Sequence, residues 1–203
     1  MAKAYPILMA AALGLVALLA AEPAGAGSGT DNAAPFNLSR DLTFRVTYPR
    51  FLRFRVGATG GTTNLITFSP TVAQIGNGTP VAGTGGEAGG GSAANVEIVG
   101  NFGQITITPT NNGGGLGLGT GTAGDGYINY DQVQTASSSA QLPAPVLSNA
   151  GGTAVQPTLN TVLVTQRTAV WTYSYLNTTI PSAGTYGAGS GTGGRVTYTA
   201  TMP

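Results

Sequence analysis

The 203-residue chain holds 33 Gly and 12 Pro, no Cys and no His, and charged residues make up only 7% of it, against ~25% in an average soluble domain. The formal net charge is +1, so no global field draws nucleic acid or an acidic surface. These counts exclude a disulfide scaffold, a Cys/His zinc site, a Ser-His-Asp triad, a Cys nucleophile and a histidine general base.

Lys3 is the sole lysine and gives the N-terminus its positive charge. Ile7 to Ala21 is an uninterrupted run of Ala, Leu, Val, Met, Ile and one Gly. It is shorter than the ~20 residues a spanning helix needs. Glu22-Pro23 and the small-residue stretch Ala24-Gly25-Ala26 follow. The pattern predicts a signal peptide over 1–26, cleaved after Ala26. No second long apolar run follows. The mature protein is therefore expected to be secreted, extracellular or on the cell surface, with no transmembrane span. Its length suits one domain.

Residues 27–38 are small and polar with Pro35, and the first strand pattern opens at Asp41, so a flexible leader is drawn over 27–40 and a single domain over 41–203. Leu42, Phe44, Val46 and Tyr48 alternate with Thr43, Arg45 and Thr47. Period-two alternation predicts a half-buried strand. Pro49 interrupts it. Leu52, Phe54 and Val56 then alternate with Arg53 and Arg55. Short strands are predicted at 65–68, 72–75, 96–99, 104–108, 127–133, 161–165 and 169–176. The last strand carries Val196, Tyr198, Ala200 and Met202 on one face and Arg195, Thr197, Thr199 and Thr201 on the other. Gly-rich or irregular loops are predicted at 76–94, 111–126, 135–158 and 181–194. No apolar stripe of helical spacing appears after the signal segment. The reading is all-β, about eight to ten short antiparallel strands with long Gly-rich loops, as a sandwich or barrel.

Candidate sites are few. Two G-x-G-x-x-G stretches, from Gly119 and from Gly189, lack the following helix a dinucleotide site needs. Asp125-Gly-Tyr-Ile-Asn129-Tyr-Asp131 gathers oxygen ligands that suit Ca²⁺, but an Asp-Gly turn explains it more simply. Arg45, Arg53 and Arg55 share the polar face of their strands. They read as edge protection, or as a strip whose bidentate forks suit anionic polysaccharide. Trp171, Tyr173 and Tyr175 form the densest aromatic row, read as core rather than as a sugar-stacking platform. Without His, and with Lys only at position 3, no enzyme activity is expected, and no cofactor.

Trp171-Thr-Tyr-Ser-Tyr-Leu, Ala183-Gly-Thr-Tyr186 and Gly194-Arg-Val-Thr-Tyr198-Thr-Ala-Thr-Met-Pro203 together resemble the end of secreted bacterial Ig-like β-sandwich proteins, chaperone–usher-type pilus (fimbrial) subunits among them. The likeness covers about 35 residues of the C-terminal third. It departs from the commonest of these proteins in lacking their disulfide and in ending in Pro203 after Met202. The resemblance implies an Ig-like sandwich, a bacterial surface location reached through the periplasm, and partners among pilus or surface subunits, with a periplasmic chaperone. A leader followed by strict alternation is itself the shape of a donated strand. The functional expectation is a structural or adhesive surface component, a filament subunit assembled by strand complementation through Leu42, Phe44, Val46 and Tyr48. The alternative is a monomeric carbohydrate-binding module with an exposed Trp171.

Overall fold

The computed structural model describes residue 30 and residues 32–60, 63–88, 91–119 and 126–203. The expected signal peptide, and Asp125 of the candidate calcium loop, lie outside the described residues. The chain divides into two units, Met1–Thr47 and Tyr48–Pro203.

The described residues of the first unit carry neither helix nor strand. The strand expected over 41–48 does not form. A strand is held by a hydrogen-bonded neighbour, and no described strand pairs with this segment. The first strand of the second unit starts only at Leu52.

That unit is almost wholly β. Its strands are β1 (Leu52–Val56), β2 (Ile66–Thr67), β3 (Val81–Ala82), β4 (Thr84–Gly85), β5 (Ala93–Gly100), β6 (Thr106–Asn111) and β7 (Leu118–Gly119). After them come β8 (Tyr127–Ile128), β9 (Val133–Ser137), β10 (Leu147–Ser148), β11 (Gly151–Gly152), β12 (Thr165–Tyr175) and β13 (Val196–Thr201). Single 3₁₀ turns sit at Tyr130–Gln132 and Ser190–Thr192. All strand pairs are antiparallel.

The longest sheet runs β1-β5-β12-β3, with β9 also on β12. β12 is its spine. It pairs with β5 from Thr165 to Thr172, with β3 at Ser174 and Tyr175, and with β9 from Trp171 to Tyr175. Among the described residues β13 pairs with β6 alone. Alternate residues of these strands meet in one apolar cluster. Val96 and Ile98 come from β5, Ile107 from β6, Trp171 and Tyr173 from β12, and Leu142 from a loop. Phe54 and Val56 of β1, and Tyr198, Ala200 and Met202 around β13, pack against it. Burying one of every two residues is what period-two alternation is for.

Several expected elements shift. Residues 72–75 form a turn, closed by Thr71 and Gln74. Residues 161–164 are a bend in which Val162 is 85% exposed, because Asn160 closes a loop by donating its N–H to the Val164 carbonyl. The strand then begins at Thr165 and runs unbroken through 169–176 as far as Tyr175. The Gly-rich 76–94 region is not wholly irregular, since it carries β3, β4 and the start of β5. Gly86 makes that possible. Its φ is +77°, and any Cβ there would strike the Ala93 carbonyl, so only Gly lets the two segments touch.

Candidate functional site

The four alternating apolar side chains of residues 42–48, the arm, are all in solvent. Leu42 is 77% exposed, Phe44 82%, Val46 75% and Tyr48 83%. The intervening Thr43, Arg45 and Thr47 are exposed as well. Exposing a single apolar side chain is ordinary, whereas four in strict alternation amount to a complete strand face without a core. Phe36 and Leu38 extend the exposed apolar series upstream.

The root of the arm belongs to the second unit. Phe51 donates its N–H to Asn101 Oδ1 at 2.9 Å, and Asn101 Nδ2 donates to the Pro49 carbonyl at 2.8 Å. The Arg50 guanidinium lies 3.3 Å above the Phe102 ring.

Among the described residues β3 and β9 pair with β12 alone, and two further strands around the core also keep an unpaired edge. β1 has only β5, and β13 has only β6. Gly57 donates to the Asn95 carbonyl, which makes 57/95, 55/97 and 53/99 the hydrogen-bonded pairs of this ladder. The backbone groups of Leu52, Phe54 and Val56 therefore point away from β5. Arg53 and Arg55 guard this edge. Both reach Glu97, at 2.5 and 3.7 Å. So Glu97 partly neutralises two of the three arginines of the expected anion-binding strip. Arg45 sits in the first unit and is no part of β1. Opposite charges held on an edge strand deter stray pairing.

The β13 edge is different. Thr197, Thr199 and Thr201 project outward and are exposed, while Val196, Tyr198, Ala200 and Met202 are half-buried. No charge lies between Val196 and Pro203. Tyr198 anchors the strand. Its ring meets Trp171 edge-on at 5.3 Å, and its hydroxyl lies 3.1 Å from that of Tyr173. Burial, followed by the neighbouring Tyr173, pushes the Tyr198 phenol well above its ordinary pKa. Burial also raises Tyr173. It lifts Tyr130, whose hydroxyl donates to the Gly193 carbonyl, to about 12.

Trp171 is completely buried, and its indole N–H donates to the Leu142 carbonyl at 3.2 Å. With Tyr173 and Tyr175 also buried, the row offers no face for stacking a sugar. No group of three or more His, Cys, Asp or Glu gathers among the described residues. In the candidate calcium loop, Asn129 Oδ1 accepts from Asn149, and Asp131 is exposed between the buried Tyr130 and Gln132 of the 3₁₀ turn.

No protein-family model matches the chain, and neither does any curated protein or solved structure. No helix among the described residues is long and apolar enough to cross a membrane.

Sequence reasoning located the last strand and the β1 arginines, and singled out Leu42 to Tyr48 as a strand that the structure does not form. It missed Asn101 and Phe102. The only signal there was an Asn at a Gly-Asn turn pair, which reads as turn chemistry.

Proposed function

We propose that this chain is an exported structural or adhesive cell-surface subunit, an Ig-like β-sandwich that self-associates by strand complementation. The observation that carries the reading is the arm. Leu42, Phe44, Val46 and Tyr48 are 75–83% exposed and belong to no sheet among the described residues. A second copy supplies what is missing, an open edge beside an apolar core. The β13 edge suits it better than β1. Arg45 on the polar side of the arm would meet Arg53 and Arg55 at β1, whereas Thr197, Thr199 and Thr201 present no like charge. Three inward residues on β13, Val196, Tyr198 and Ala200, with Met202 just beyond it, match four apolar residues on the arm. Each arm enters the next molecule, so the contact is heterologous and open-ended, which is the geometry of a filament. The sandwich is supported by the single core cluster shared between the β1-β5-β12 sheet and the β6-β13 pair. Export rests on the 1–26 signal pattern. A carbohydrate-binding module needs an aromatic platform in solvent, and the buried Trp171 speaks against it.

The test is Phe44→Arg in the full-length protein, followed by sedimentation across a concentration series. Wild type should form concentration-dependent oligomers. The variant should stay monomeric with an unchanged melt of residues 48–203. A wild type that is monomeric at every concentration, or a Phe44→Arg variant that unfolds, overturns the reading.

A further inference from the structure

The β1–β5 ladder does not simply stop at its last paired residues, Leu52 and Gly100. Continuing the register places Phe51 opposite Asn101, at the next hydrogen-bonded position of an antiparallel pair. β5 cannot supply that rung from its backbone, because the chain bends away through Asn101, Phe102 and Gly103, where Gly103 holds φ +108°. The Asn101 side chain supplies it instead. Its amide is both donor and acceptor. It takes the Phe51 N–H at 2.9 Å and gives to the Pro49 carbonyl at 2.8 Å, one residue either side of Arg50. Arg50 is turned onto the face of Phe102, 3.3 Å from the ring centroid. Upstream of this point Pro49 has no N–H to offer, and Tyr48 is 83% exposed.

From this geometry we infer that Asn101 and Phe102 form a clamp that fixes the root of the arm, so that Asn101 is a positioning residue for self-association. The inference rests on the arm being the donated segment. Its physical content is entropic. Association must order the arm, and each residue held beforehand removes part of that cost. The clamp ends the ordered body at Pro49 and leaves the apolar series to begin at Tyr48. A root that frayed back to Leu52 would add residues to order on docking and would blur the register in which Leu42 to Tyr48 are delivered.

The chain carries its own reporter, because trypsin cuts after Arg. The 40–41 and 45–46 bonds lie in the exposed arm, and the 50–51 bond lies inside the clamp. In the monomeric Phe44→Arg background, cleavage after Arg40 and Arg45 should be fast and cleavage after Arg50 slow. Adding Asn101→Ala should speed the Arg50 cut by on the order of tenfold, the factor expected from losing ordinary hydrogen bonds. Phe102→Leu keeps apolar bulk but loses the ring face, and should speed it about threefold. Neither change should move the melt of the second unit by more than about 2 °C. In the otherwise wild-type chain, Asn101→Ala should weaken self-association about tenfold. Equal Arg50 cleavage with and without Asn101 overturns the clamp. Faster cleavage with undiminished association overturns its role in assembly. A wild type that never associates defeats the strand-complementation reading and this role together, and it is recognised from the unsubstituted protein alone.

Discussion

Trp171→Ala should be among the most damaging single changes to the second unit. The indole is 0% exposed and sits where β5, β9 and β12 meet. Truncating a buried aromatic to Ala costs about 3–5 kcal/mol. Two features place this site at the upper end of that range. The Leu142 carbonyl loses the indole N–H at 3.2 Å while keeping the Ser137 hydroxyl at 2.7 Å, and one such hydrogen bond contributes about 0.5–1.5 kcal/mol. The edge-on contact with Tyr198 at 5.3 Å also disappears, and such pairs contribute about 0.5–1.5 kcal/mol. These contributions overlap with the truncation figure and do not add to it. For a domain of 150–250 residues each kcal/mol moves the midpoint by about 2–4 °C, so the expected drop is about 6–20 °C. Thermal melts followed by circular dichroism read it directly, and Trp171→Phe, which keeps a ring but not the N–H, should fall between. Wild-type Trp171 fluorescence should resist acrylamide. An alanine variant melting within about 2–3 °C of wild type would show that the indole is not central to this core.

Mixing tests the two halves of the proposed contact separately. Thr199→Lys puts a charge on the exposed side of β13 and should block the edge while leaving the arm intact. Phe44→Arg does the reverse. Each variant alone should sediment as a monomer, and an equimolar mixture should yield a 1:1 dimer that grows no further. The melt should stay nearly flat from pH 5 to 9, because the chain has no His or Cys to titrate there. Above pH 10 stability should fall. A tyrosine whose folded pKa exceeds its unfolded value stabilises fully below about 10 and loses that stability as pH rises through the folded value. For Tyr130 that window ends at about 12. Absorbance at 295 nm should show the tyrosinate signal of the buried Tyr130, Tyr173 and Tyr198 appearing together with loss of structure, and ionisation of every tyrosine in a still-folded protein would refute it. Gly193→Ala should destabilise by about 1–3 kcal/mol. Its φ is +72° and a Cβ would strike the Gly117 carbonyl. A melt equal to wild type would show that this loop yields freely.

Much of the architecture was legible from residue types alone. The abundance of Gly and Pro and the absence of helical spacing led to an all-β chain, and alternation located β1, the middle of β5, and β13 with its inward Tyr198. Those strands share a property. Each buries one face against a core made by the same chain, so local periodicity and tertiary role agree. Where they disagree, only the tertiary structure decided. Leu42 to Tyr48 alternate as cleanly as Val196 to Met202, yet one set is in solvent and the other packs beside Trp171. Alternation states that a segment can bury a face, and it carries no information on whether a neighbour is there to cover it. Val162-Leu-Val164 is as apolar as a strand but closes a bend on Asn160, while Val81 and Ala82, set among glycines, become a strand by pairing with Tyr175 and Ser174 of β12. The partners that settle each case lie far off in sequence: Leu142 and Tyr198 for Trp171, Asn101 for Phe51. A sheet is held by hydrogen bonds to a neighbouring strand, and the identity of that neighbour is written in no local pattern.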